Sequence, residues 1–144
     1  MTTAAAVPEP VFVDTNVLIY AAIPAFPQHA DAVARLTELE LAGTPLWISR
    51  QTLREYLSAL SRPSTFTPTI PMVALFNDIA ALLARFRVVE DGPAVTSALM
   101  TLLASVTCGG KQVYDANIVA TMITGGIRGV LTHNVGDFRR FSGE

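Results

Sequence analysis

The stretch Val11-Phe12-Val13-Asp14-Thr15-Asn16-Val17-Leu18 decides how this chain is read. An apolar run rich in β-branched residues stops at a carboxylate, and a second apolar run follows Thr15 and Asn16. The pattern predicts a buried parallel strand that delivers Asp14 to its carboxyl end, where a helix begins. Ligands of open α/β sheets bind along that edge. A lone aspartate there is also an ordinary helix cap, so the meaning of Asp14 depends on whether other acids reach the same edge.

Outward from this stretch, strands and helices alternate. Ile23-Pro24-Ala25-Phe26-Pro27 breaks the first helix, and a second is expected from Gln28 to Ala42 with Ala32, Val33, Leu36 and Leu39 inward. Leu46-Trp47-Ile48 reads as a strand, and Gln51 to Ser61 as a helix with Arg54 and Glu55 at the border of its buried stripe. After a loop over 64–71, a helix from Met72 to Arg85 is expected to turn Val73, Phe76, Ile79, Ala80 and Leu83 inward. Phe86 to Val89 forms the third strand, and Pro93 opens a helix. A long helix from about Tyr114 to Thr124 and a strand at Gly129–Thr132 complete the series. Such alternation indicates an α/β fold, a parallel sheet of about 4–5 strands with helices on both faces.

The chain has 144 residues, 51% hydrophobic and 15% charged, which excludes a disordered or fibrous polymer and fits one domain. So little charge leaves apolar surface to be covered by a partner or a second copy. A formal net charge of −2 gives no broad basic face for nucleic acid, though ten Lys and Arg residues are enough for local contacts. The single cysteine, Cys108, excludes an intrachain disulfide and a thiolate-rich metal site. Residues 1–10 read as a flexible leader, 11–141 as the domain and 142–144 as a tail. No signal peptide or membrane span is expected, and a cytoplasmic location is.

Further acids do reach the same edge. Glu55 lies early in the helix after the second strand, Asp115 opens the last long helix, and Asp137 follows the last strand. Gathered carboxylates repel one another and raise each other's pKa, a conflict that a divalent cation removes. Oxygen ligands without Cys or a well-placed His select a hard ion such as Mg²⁺ or Mn²⁺. That chemistry suits hydrolysis of a phosphodiester.

Four segments together resemble the PIN-domain nucleases, and within them the toxins of the VapC type. They are Val13-Asp14-Thr15-Asn16, Arg54-Glu55-Tyr56, Tyr114-Asp115-Ala116-Asn117-Ile118-Val119-Ala120, and Leu131-Thr132-His133-Asn134-Val135-Gly136-Asp137-Phe138. The resemblance implies a three-layer α/β/α fold and a Mg²⁺-dependent endoribonuclease, with Mn²⁺ able to substitute. It implies that Asp14 and Asp115 are the principal metal ligands, that Glu55 completes the pocket, and that Asp137 matches an acid of some toxin-type members. Asn134 stands where many relatives carry an acid. Asn16 and Thr132 become supporting groups, orienting Asp14 and a water respectively. A cognate antitoxin of the VapB type and a homodimer are the implied partners, with RNA as substrate.

Each residue also has a plainer reading. Asp14 can be a cap, Asp115 can answer a helix dipole, Glu55 can be half of a solvated pair with Arg54, and Gly136-Asp137 can be a turn. His133 is expected to point to solvent. Arg50, Arg54, Lys111 and Arg139 are the candidates for contact with an RNA backbone. A haloacid-dehalogenase-type phosphatase is a poor fit, because Asn16 stands where its second aspartate belongs. A receiver domain fits no better, because its paired acids and its lysine are missing. The alternative of another class is a catalytically silent PIN-like module that binds RNA or protein.

Overall fold

The computed structural model describes residues 6–144; residues 1–5 of the expected leader lie outside the described residues. In chain order the elements are β1 (Val11–Val13), α1 (Thr15–Ala22), α2 (His29–Leu41), β2 (Leu46–Ser49), α3 (Arg50–Leu60) and α4 (Met72–Arg85). They continue with β3 (Arg87–Val89), α5 (Pro93–Ser105), α6 (Gln112–Gly125), β4 (Gly129–Leu131) and α7 (Val135–Phe138), closed by a 3-10 turn at Arg139–Phe141.

The four strands form one parallel sheet in the order β3-β2-β1-β4. The chain builds outward from β1 to β2 and β3, then crosses back to lay β4 on the other side of β1. Phe12 pairs with Trp47 on one side and Val130 on the other, and Val13 pairs with Leu131. The strand order reverses at β1, which opens a crevice beyond its carboxyl end. Asp14 is the next residue.

Phe12 and Val13 are both fully buried, on opposite faces of the sheet. Val13 joins Val17, Leu36, Ile48, Tyr56, Leu60 and Leu75 under α1–α4. Phe12 joins Ile118, Met122, Ile127 and Phe138 under α6 and α7. Apolar packing on both faces of the sheet makes the three layers expected from the sequence.

Local chemistry fixes the helices that carry the acids. Ser49 Oγ accepts from the Thr52 backbone N–H at 3.3 Å while Thr52 Oγ1 accepts from the Ser49 N–H at 3.2 Å, a reciprocal cap that sets where α3 begins. Gly126 ends α6 with φ of 69°, a left-handed turn that a side chain would oppose.

One helix face differs from expectation. On α4, Leu75 is fully buried, and Ile79 and Leu82 pack with it. Val73, Phe76 and Leu83, expected inward, are 74%, 57% and 43% exposed, and Ala80 is exposed as well. The helix is apolar nearly all round, so two stripes satisfy the helical period, and packing against α3 selects the one through Leu75. Val33 of α2 is likewise on the exposed side. These residues leave an apolar surface uncovered.

Candidate active site

Asp14 sits between β1 and α1 with 8% of its surface exposed. Its Oδ1 accepts from the Thr15 backbone N–H at 2.8 Å and caps α1. Its Oδ2 accepts from Thr132 Oγ1 at 2.8 Å. Capping therefore uses one oxygen, and the other is tied to the end of β4. Burial raises the Asp14 pKa above the ordinary value; the bonds from Thr132 and Thr15 oppose this, and the charges of Glu55 and Asp137 add to it.

Glu55 lies on α3, half-buried, with both carboxylate oxygens engaged. Thr15 Oγ1 donates to its Oε2 at 3.1 Å, and Gln51 Nε2 donates to its Oε1 at 2.6 Å. Asp115 stands in the first turn of α6. Its pKa is pushed up to about 6, first by burial, then by the charges of Asp137, Asp14 and Glu55, with Arg140 acting in the opposite sense. Asp137 lies in the single turn of α7 and is exposed. Thus four acids from four different segments lie within electrostatic reach of one another at the carboxyl edge of the sheet.

The polar groups around them divide the work differently from expectation. Thr132 holds Asp14 directly, although the sequence reading assigned it a water. Asn16 acts one step further out: its Nδ2 donates to Thr132 Oγ1 at 3.4 Å, and its Oδ1 accepts from the His133 backbone N–H at 3.3 Å. The Asn134 backbone N–H also donates to Thr132 Oγ1, at 3.0 Å, and the Asn134 side chain is exposed. His133 does not point freely into solvent; its ring meets Tyr20 edge-on at 5.0 Å, and its Nε2 is 3.9 Å from Asp31.

Among the basic candidates, Arg50 is bound to Glu90 through two bonds, Nε to Oε2 at 3.2 Å and a terminal nitrogen to Oε1 at 2.7 Å. Arg54, Lys111 and Arg139 are exposed. Residues that the sequence reading passed over also belong here. Thr15 and Gln51 hold Glu55; Asn117 donates to Gln51 Oε1 at 2.8 Å and to Asp91 Oδ2 at 3.2 Å; Arg140 is the cation that lowers the Asp115 pKa. A separate cavity of about 580 Å³, lined by Met122, Ile127, Val130 and Phe138 among others, contains none of the four acids.

The donor chemistry fits a hard divalent cation. The donors are carboxylate oxygens, Asp14 and Glu55 are oriented by neutral hydrogen-bond donors, and the charges of Asp137, Asp14 and Glu55 add to burial in raising the Asp115 pKa. Among the described residues, no three acidic, histidine or cysteine side chains converge closely enough to form a finished metal cage. Among the described residues, too, no helix is long and apolar enough to cross a membrane.

The comparisons with known proteins agree with this architecture. VapC20 of Mycobacterium tuberculosis, described as a toxin that cleaves the sarcin-ricin loop, superposes with a TM-score of 0.65 at 18% identity, over 92% of this chain and 94% of that one. A toxin–antitoxin complex from Klebsiella pneumoniae gives 0.60 at 18% identity, over 90% of each chain. VapBC2 of Rickettsia felis, bound to a DNA fragment from its promoter, gives 0.63 at 18% identity, over 90% of this chain and 91% of that one. At such identities the likeness concerns the fold. No curated protein sequence matches the chain. The model of the PIN domain family matches residues 11–144, and the chain belongs to that family.

Proposed function

We infer that the protein is a Mg²⁺-dependent endoribonuclease toxin of a type II toxin–antitoxin system. The observation that carries this reading is the gathering of Asp14, Glu55, Asp115 and Asp137 at one sheet edge, with the Asp115 pKa pushed up to about 6. A structural role alone gives no reason to collect four acids there.

In this reading Asp14 and Asp115 hold the ion and Glu55 and Asp137 complete its surroundings. When bound, the cation supplies Lewis acidity toward the phosphate oxygens and lowers the pKa of water. Thr132 and the Thr15 N–H keep Asp14 aimed at the crevice, and Asn16 keeps Thr132 in place. Arg54, Lys111 and Arg139 are the exposed candidates for the RNA backbone, and Arg50 joins them only by giving up Glu90. The expected products carry a 5′-phosphate and a 3′-hydroxyl. The exposed apolar face of α4, Val73, Phe76 and Leu83, favours a surface covered by a VapB-type antitoxin or by a second copy in a homodimer. Mn²⁺ is expected to substitute for Mg²⁺, and the setting is the cytoplasm.

The test is cleavage of purified total RNA by antitoxin-free protein with Mg²⁺, with EDTA, and with Asp14→Asn as the contamination control. Discrete cuts that need the metal and vanish in the variant support the reading. Equal cutting by both proteins, or none by the folded wild type with Mg²⁺ or Mn²⁺, overturns it. The second outcome would favour a silent RNA- or protein-binding module, the reading that the Asn134 side chain and the low basic charge support.

A further inference from the structure

Gln51 stands one helical turn before Glu55 on α3, with only 7% of its surface exposed. A glutamine so deeply placed needs partners for its amide. Its Nε2 donates to Glu55 Oε1 at 2.6 Å and to the Tyr114 carbonyl at 3.1 Å, and its Oε1 accepts from Asn117 Nδ2 at 2.8 Å. A carboxylate and a carbonyl can only accept, so these two partners fix which end of the amide faces them. The Tyr114 carbonyl lies immediately before Asp115 and Asn117 two residues after it. Gln51 therefore ties the Glu55 carboxylate on α3 to the first turn of α6, the segment that presents Asp115.

We propose that Gln51 is a positioning residue, a neutral bridge that holds Glu55 in register with Asp115 and leaves the negative charge of both available to a cation. The inference rests on the reading of this site as a metal-dependent nuclease. Its physical logic lies in the choice of donor. Lysine or arginine at this position would also orient Glu55, but would neutralise it and lower the pull of the crevice on a cation. An amide orients without adding charge. Thr15 treats the other Glu55 oxygen in the same way, and Thr132 and the Thr15 N–H do so for Asp14. The Gln51–Glu55 bond is short, the donors are neutral and Gln51 is buried, which is what separates this arrangement from an ordinary Gln–Glu pair on a helix surface.

The test is Mn²⁺ affinity, read by titration calorimetry, in wild type, Gln51→Met, Glu55→Gln and the double variant, beside urea unfolding of the metal-free proteins. Methionine keeps the length and removes the amide; should it prevent folding, Gln51→Asn withdraws the amide from Glu55 while keeping a polar side chain. The expected result is a loss of about tenfold or more in Mn²⁺ affinity for Gln51→Met. In the Glu55→Gln background the same change should matter less than about twofold, because both act through one carboxylate. RNA cleavage by Gln51→Met should lose kcat with KM nearly unchanged. Wild-type Mn²⁺ affinity in folded Gln51→Met, or losses that simply add in the double variant, would overturn the inference alone. Failure of the wild type itself to bind Mn²⁺ would overturn the metal reading and this inference with it.

Discussion

Thr132 donates from Oγ1 to Asp14 Oδ2 at 2.8 Å, across 118 positions of sequence. The bond joins the ends of β1 and β4, the two strands on either side of the crevice. The same hydroxyl accepts from Asn16 and from the Asn134 N–H, so its proton is directed at Asp14. Thr132→Val keeps the shape and removes the donor. Mn²⁺ affinity by calorimetry should fall about tenfold, and metal-free stability by urea unfolding should fall about 1 kcal/mol. An affinity equal to that of wild type would show that Asp14 is aimed by something else.

The pH dependence of stability should carry the signature of Asp115. Its pKa rises from the ordinary 3.8 to about 6 in the folded protein, so the fold favours the protonated form. The folded state then binds more protons than the unfolded state between those values, and stability falls as pH rises through that window and stays lower above it. Asp115→Asn removes the Asp115 share of the decline, and the raised Asp14 pKa leaves a remainder. Urea unfolding without metal should find the variant more stable than wild type above about pH 7 and close to it near pH 4. Parallel pH profiles for the two proteins would contradict the origin assigned to the shift.

Much of this was legible in the sequence, and the failures have physical causes. The run into Asp14 shows a buried strand because β-branched residues precede a carboxylate that caps the next helix. Glu55 and Asp115 stand out because each follows a strand or opens a helix beside apolar neighbours. Gln51 carries only one local signal, its spacing of four from Glu55, which places both on one helix face. Its other partners, Tyr114 and Asn117, lie 63 and 66 positions away and have no local trace. Arg140 likewise meets Asp115 only through the fold. The α4 stripe failed for a different reason, since periodicity cannot choose between two apolar faces of one helix.

That correction is open to test. Leu75→Ala should cost about 3 kcal/mol in urea unfolding, because it empties a fully buried site. Phe76→Ser, on the exposed stripe, should change the stability of the isolated chain by less than about 0.5 kcal/mol. Equal costs at both positions would restore the face read from sequence. Weaker self-association or antitoxin binding by Phe76→Ser would show what the exposed face is for.

Tyr56 supplies a stabilising link away from the acids. The residue is 2% exposed, and its hydroxyl donates to Asp78 Oδ2 at 2.7 Å, joining α3 to α4. Burial, then the bond to Asp78, raises its pKa, so the hydroxyl stays protonated as a donor. Tyr56→Phe should lower stability by about 1 kcal/mol and leave Mn²⁺ affinity unchanged. A weaker Mn²⁺ affinity would mean that the packing of α3 on α4 governs Glu55, the preceding residue on the same helix.

The proposed function requires the four acids, Asp14 among them, to hold a divalent cation. The most direct measurement is the thermal unfolding midpoint of wild type and of Asp14→Asn as Mg²⁺ is raised at constant ionic strength. A cation bound by the native site alone raises the midpoint with concentration, because it draws the equilibrium toward the folded state. Such a rise is expected for wild type, and its loss in Asp14→Asn. A wild-type midpoint that does not move, or an equal rise in both proteins, would contradict it.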